Sequence, residues 1–243
     1  MRKFMALFRR DLASVFCSPL GYVTVAVFMS ATGWTFLQAV QAQVGGSLQL
    51  EALLAISILV WMPVLITVVC MRLFAEEKRS GTIETLLTTS VGDGTVVLAK
   101  YCGAMFFVLV GLGGAMASLP MLVYLAPDIE AVDLAALLGG GGMLVLVAMC
   151  CTAIGVLVSL LTRNQIVAAI CCFWAICVPL MVKPLLAAVP FVRQEVLDRL
   201  SVEQHVLQYT GGILQVPPVV LYLTVTVLML FTAVRVLESR RWI

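Results

Sequence analysis

Runs of mostly apolar residues, each long enough to cross the roughly 30 Å of hydrocarbon in a bilayer, constrain this chain more than any other feature. Six are read, at Leu20 to Val40, Ala52 to Leu73, Thr95 to Leu125, Leu134 to Leu161, Ile166 to Ala188 and Val219 to Leu237. Inside hydrocarbon no water satisfies a backbone N–H or C=O, so only helices and closed barrels can span. A period-two alternation, the mark of a barrel, is absent, which leaves helices. Of 243 residues 62% are hydrophobic and 12% charged, a balance that excludes an ordinary soluble domain. The expected fold is an all-α integral membrane protein: six transmembrane helices in a single domain over residues 1–243, with an N-terminal interfacial helix over 1–19. The third and fourth spans exceed a straight crossing and are expected to tilt, kink near Pro120 or project beyond the membrane.

Orientation follows from Lys and Arg. One side of this topology collects Arg2, Lys3, Arg9, Arg10, Arg72, Lys78, Arg79, Lys100, Arg163, Arg235, Arg240 and Arg241, twelve of the fifteen basic residues, and the other has Lys183, Arg193 and Arg199. The first side is therefore expected to be cytoplasmic, with both termini on it. The net charge of +2 adds little, and no basic-aromatic array suggests nucleic acid. Seven of the eight cysteines, Cys70, Cys102, Cys150, Cys151, Cys171, Cys172 and Cys177, fall within spans and Cys17 just before the first, so no disulfide framework is expected. Structural packing is preferred to metal ligation, since the surroundings are apolar and no histidine accompanies the paired cysteines. The basic N-terminus shows no short apolar core followed by a cleavage site, and no cleavable signal is expected.

Residues 1–19 carry helical periodicity, with Phe4, Met5, Phe8, Leu12, Val15 and Phe16 in one arc and Arg2, Lys3, Arg9 and Arg10 opposite. A helix in the membrane interface fits this pattern, ended by Pro19; the alternative is a helix packed on the protein's own core. Asp11 sits beside the apolar arc and spoils it. On the outer side, Asp128, Glu130 and Asp133 form an acidic loop read as solvated rather than cation-binding. The glycines from Gly139 to Gly142 permit close helix approach or local unwinding, with packing preferred. In the outer loop 189–218, Val192, Val196, Leu200 and Leu207 line one helical face, with His205 on the opposite, polar one. His205 is the single histidine and has no second ligand or nucleophile nearby, so a surface or loop-stabilising role is expected and no metal site. Pro63 and Pro179 interrupt spans two and five and are candidate gating kinks, while Lys183 is read as snorkelling to the interface.

Between spans two and three lies a dense charged block, FAEEKRSGTIETLLTTS, from Phe74 to Ser90. Charge at the bilayer centre costs about 2.5 kcal/mol or more, so the block must sit in water or against a protein. Within the loop 74–94, Ser80-Gly81 makes a turn, and Thr82 to Thr88 a short helix presenting Ile83, Leu86 and Leu87 on one face with Glu84 beside them. An apolar ridge with a charged edge suits a groove on a soluble partner. The docking set is Glu76, Glu77, Lys78, Arg79, Thr82, Ile83, Glu84, Leu86 and Leu87.

This block, with the following VVLAKY, resembles the cytoplasmic coupling loop of type-2 ABC exporter permeases, in the gliding-motility-associated and copper-enzyme-maturation branch. The entry segment RRDLASVFCSPLGYV is similar to that branch, as is the final span ending in Leu237, Glu238, Ser239, Arg240 and Arg241. Departures stand at Ser90, where proline is frequent in relatives, at Gly94, where a bulky residue is common, and at Pro217-Pro218, where a polar pair is usual. The resemblance implies a permease of the bacterial inner membrane, driven by a partner ABC ATPase dimer that binds ATP and Mg. It also implies a second permease subunit, identical or homologous, and an extracytoplasmic accessory subunit. The chain has no G-x-x-x-x-G-K-[ST] loop to cradle phosphates, so no cofactor and no enzymatic activity are expected in it. The alternatives are a non-transporting anchor or scaffold driven by the same kind of ATPase, and a membrane-embedded enzyme, for which the spans offer no H-E-x-x-H or G-x-S-x-G.

Overall fold

The computed structural model describes residues 2–42, 49–79, 92–125, 133–181 and 201–239, and every regular element among them is an α-helix. In order these are α1 (Arg2–Phe16), α2 (Pro19–Ala42), α3 (Leu50–Leu73), α4 (Ala75–Arg79), α5 (Asp93–Leu125), α6 (Leu134–Leu161), α7 (Gln165–Leu180), α8 (Val202–Thr210) and α9 (Val216–Ser239). Five of them, α2, α3, α5, α6 and α9, are long and apolar enough to cross a membrane. Helix α7 has 16 residues, about 24 Å at 1.5 Å per residue. The expected span Ile166 to Ala188 therefore stands, among the described residues, as a shorter apolar helix, and its outer part lies outside them.

Helices α3 and α6 form the centre. Helix α3 packs on α2, α5, α6 and α7, and α6 packs on α5, α7, α8 and α9 as well. Ile58, Met62, Leu65 and Ile66 of α3 and Met143, Leu144 and Leu160 of α6 are wholly enclosed in one hydrophobic cluster. Helices α2 and α9 lie at its edge: Phe28 and Phe36, and Tyr222 and Leu237, join it, while Tyr22, Val23, Val27 and Trp34, and Val227, Leu228 and Phe231, turn outward. A continuous apolar exterior of this kind is a membrane surface. Several hydroxyls in the helices bond to their own helix: Thr24 donates to the Leu20 carbonyl and Thr226 to that of Tyr222, each at 2.7 Å.

The two ends of the bundle differ. At one, the α1–α2 turn, the end of α3, α4, the start of α5 and the end of α6 meet, as Arg72–Ser18, Lys100–Leu73 and Lys78–Leu160 hydrogen bonds record. At the other, Glu51 at the start of α3 accepts from the Asp133 N–H at 2.8 Å, and α8 lies across the start of α6. Asp133 caps α6 by accepting from the Ala135 N–H at 2.8 Å. The glycine run is continuous helix, and it serves close approach: a Cβ on Gly139 would sit 2.5 Å from the Tyr209 carbonyl oxygen.

Two expectations are corrected. Pro19 does not end α1, which stops at Phe16; it opens α2, where a proline costs no hydrogen bond and its fixed φ suits the first turn. His205 is not on a polar face. It is buried with Val202, Val206 and Tyr209, while Leu207 is only half-buried, because the inner face of α8 meets α6 and finds a hydrogen-bonding partner in Tyr222. The His205 Nδ1 lies 3.1 Å from the Tyr222 Oη, which ties the α8 segment to α9.

Candidate functional site

The last carbonyls of any helix lack intrahelical partners, and at the basic end of this bundle two lysines supply them. Helix α3 ends at Leu73, and the chain turns at Phe74, fully enclosed, into α4. Lys100 of α5 donates to the Leu73 carbonyl at 2.7 Å and sits 5.0 Å from the centre of the Phe74 ring. Lys78 of α4 donates to the Leu160 carbonyl at the end of α6 and lies 3.4 Å from that of Thr162. A cation at a helix C-terminus also gains from the helix dipole. The Phe74 N–H, freed from the helical ladder by the turn, donates to Ser159 Oγ at 3.2 Å.

Charge pairing closes the corner. Glu77 Oε1 lies 2.9 Å from Lys100 Nζ and 3.0 Å from Arg10 Nη2. Arg10 also donates to Asp11 Oδ1 at 3.1 Å, and the other Asp11 oxygen is 3.9 Å from Lys100 Nζ. Lys100 and Asp11 are 3% and 8% exposed, and buried charges persist only when paired. Two cations and two carboxylates from α1, α4 and α5 alternate here. Helix α1 is held against α5 by aromatic contacts as well, with Phe16 and Phe107 ring centres 5.3 Å apart and Phe8 against Phe106. Met5 on the same helix is left exposed.

Of the residues assigned to docking, Glu77 and Lys78 turn into this corner and Glu76 and Arg79 belong to the α4 backbone. Thr82, Ile83, Glu84, Leu86 and Leu87 lie outside the described residues, as does Lys183. Pro63 lies buried within α3, which runs on through it to Leu73, and Pro179 is the next-to-last residue of α7. Sequence reasoning gave no role to Asp11, Lys100 or Ser159. A signal existed for the first two: a carboxylate spoiling an apolar arc, and a lone lysine inside an apolar span, each ask for a partner.

The corner binds helices together and has the chemistry of a joint. Among the described residues no group of three or more His, Cys, Asp or Glu side chains is placed to hold a metal. Cys70, Cys151 and Cys172 are buried free thiols, and a Cβ on Gly155 of α6 would sit 2.6 Å from the Cys70 sulfur.

No curated protein matches the chain. The family model described as ABC-2 family transporter protein matches residues 12–179, from within α1 to the end of α7 and across the α3–α4 corner. With most of its length matched and its apolar helices in place, the chain belongs to the ABC-2 transporter family, as a multi-pass membrane permease subunit of an ABC transporter.

Proposed function

We propose that this permease is the membrane half of an ATP-driven exporter, moved by a separate ATPase dimer through the segment 74–94 between α3 and α5. The observation that carries the reading is the corner at Phe74. A loop that transmits a push must be joined stiffly to several helices at its root, and Lys78, Glu77 and the Phe74 N–H join α4 to α6, α5 and α1. Ile83, Leu86 and Leu87 then fill a groove on the ATPase, with Glu76, Arg79, Thr82 and Glu84 orienting them by charge and hydrogen bonding. Glu77 and Lys78 serve the inner half of the same device.

ATP and Mg belong to that partner, and this chain needs no cofactor and catalyses no reaction of its own. A second permease subunit, identical or homologous, faces it across the membrane plane, with Pro63 and Pro179 as bend points when the pair alternates between inward- and outward-open forms. The basic end faces the cytoplasm of a bacterial cell, with both termini there. The likeness of the 74–90 loop and of the Leu237 to Arg241 ending favours the gliding-motility and copper-enzyme-maturation branch, in which an extracytoplasmic accessory subunit is a further partner. The test is co-purification with the candidate ATPase after Ile83→Asp or Leu87→Asp. Binding and stimulated ATP hydrolysis should both be lost, and their survival unaltered in both variants would sink the proposal.

A further inference from the structure

We infer that a cavity between α1, α2, α3 and α5 holds the phosphate of a membrane phospholipid, with Arg72 as its charge partner. The cavity encloses ≈ 290 Å³ beside the corner, with Val15, Leu20, Val69 and Phe107 among its apolar walls. Its charges decide what fits. Arg10 and Lys100 line it and are paired with Asp11 and Glu77, which line it too. Arg72 is the third cation. Its Nη1 donates to Ser18 Oγ at 3.3 Å, its Nε is buried without a protein acceptor, and among the described residues no carboxylate lies within 4.0 Å of it. The cavity therefore carries one surplus positive charge, the Arg72 guanidinium beside the Ser18 hydroxyl. That set of donors matches a phosphodiester, which takes a guanidinium in two parallel hydrogen bonds.

Position selects a lipid over free phosphate. Arg72 is the penultimate residue of α3, a helix long and apolar enough to cross a membrane, and the end of such a helix falls in the headgroup region. The volume is close to the lower bound of about 300 Å³ for small-molecule sites, enough for a headgroup and not for a whole lipid. The cavity meets the apolar exterior at Leu20, which lines it and is 37% exposed, so acyl chains can leave there. A phosphate seated there bridges Arg72 to the α1–α2 turn at Ser18. This inference needs only that the protein spans a membrane, and it stands whether or not the loop docks an ATPase.

The test uses the full chain, purified in mild detergent and stripped of lipid by washing. It is then titrated with phosphatidylglycerol, diacylglycerol or inorganic phosphate, and binding is read by native mass spectrometry. Phosphatidylglycerol should bind the wild type, and about tenfold more weakly the Arg72→Gln variant, the loss of one charged hydrogen-bonding partner. Arg235→Gln, an exposed arginine outside the cavity, should bind as the wild type does. Equal binding by wild type and Arg72→Gln overturns the site. Equal binding of diacylglycerol, or displacement of the lipid by an equal concentration of inorganic phosphate, overturns the phospholipid. Should Arg72→Gln elute as an aggregate, Arg72→Lys with Ser18→Ala takes its place: weakened binding supports the site and unchanged binding overturns it.

Discussion

Replacing Lys100 by methionine keeps most of the volume of a buried stem and removes its ammonium, so the change isolates the charge at the corner. Three contacts go with it: the 2.7 Å hydrogen bond to the Leu73 carbonyl, the 2.9 Å pair with Glu77 and the 3.9 Å pair with Asp11. Breaking a buried pair by removing one partner costs about 3–5 kcal/mol, because the other charge stays behind without compensation. Arg10 still reaches both carboxylates, and its side chain is 51% exposed while that of Glu77 is 19% exposed, so water screens part of the loss. The low end applies, about 3 kcal/mol. For a chain of this size each kcal/mol moves Tm by about 2–4 °C, so the purified protein in detergent should melt roughly 6–12 °C lower. Adding Glu77→Gln removes the carboxylate that has lost its buried partner, and the double variant should recover about 1–2 kcal/mol relative to the sum of the two single losses. A Lys100→Met protein melting within about 2 °C of the wild type, or a double variant whose loss equals that sum, would refute the pairing as the source of the corner's stiffness.

Two further substitutions test the packing that holds the corner in place. Gly155→Val pushes a branched side chain against the Cys70 sulfur, 2.6 Å from the first added carbon, and should destabilise the protein by about 1–3 kcal/mol in the same melting assay, whereas Gly142→Val, which meets nothing within 4 Å, should cost far less. Tyr222→Phe removes the 3.1 Å hydrogen bond to His205, worth about 0.6 kcal/mol on the scale of interhelical bonds in membranes, and should speed amide exchange in α8 about threefold while leaving α3 unchanged.

Five of the spans were legible because their cause is local. Hydropathy marks α6 as Leu134 to Leu161, the observed helix, since a capping carboxylate at Asp133 and the polar turn at Thr162 to Asn164 bound one unbroken apolar run. The end of α3 was equally plain, at the point where Phe74 gives way to charge. What α4 does with its charges was not legible, because it depends on Arg10 and Lys100, which the chain brings to Glu77 from either side. A run of charge in a sequence reads as a solvated or docking face until its tertiary partners are known. The same holds for His205. A stripe drawn through Leu200 and Leu207 assumes that an inner face must be apolar, yet the surface opposite α8 is glycine backbone and a tyrosine hydroxyl, which accept a histidine.

The anchoring of α4 limits how any force applied at its outer end can act. A helix of five residues held by one hydrogen bond at its root would pivot, and a push would be lost in its rotation. Here Lys78 is fixed to the end of α6, Glu77 to α5 and α1, and the Phe74 N–H to Ser159. Turning α4 alone breaks these together, at a cost of at least about 3 kcal/mol, the low end for one buried pair. Moving the ends of α1, α3, α5 and α6 as one body breaks none of them. The easier motion is therefore the collective one.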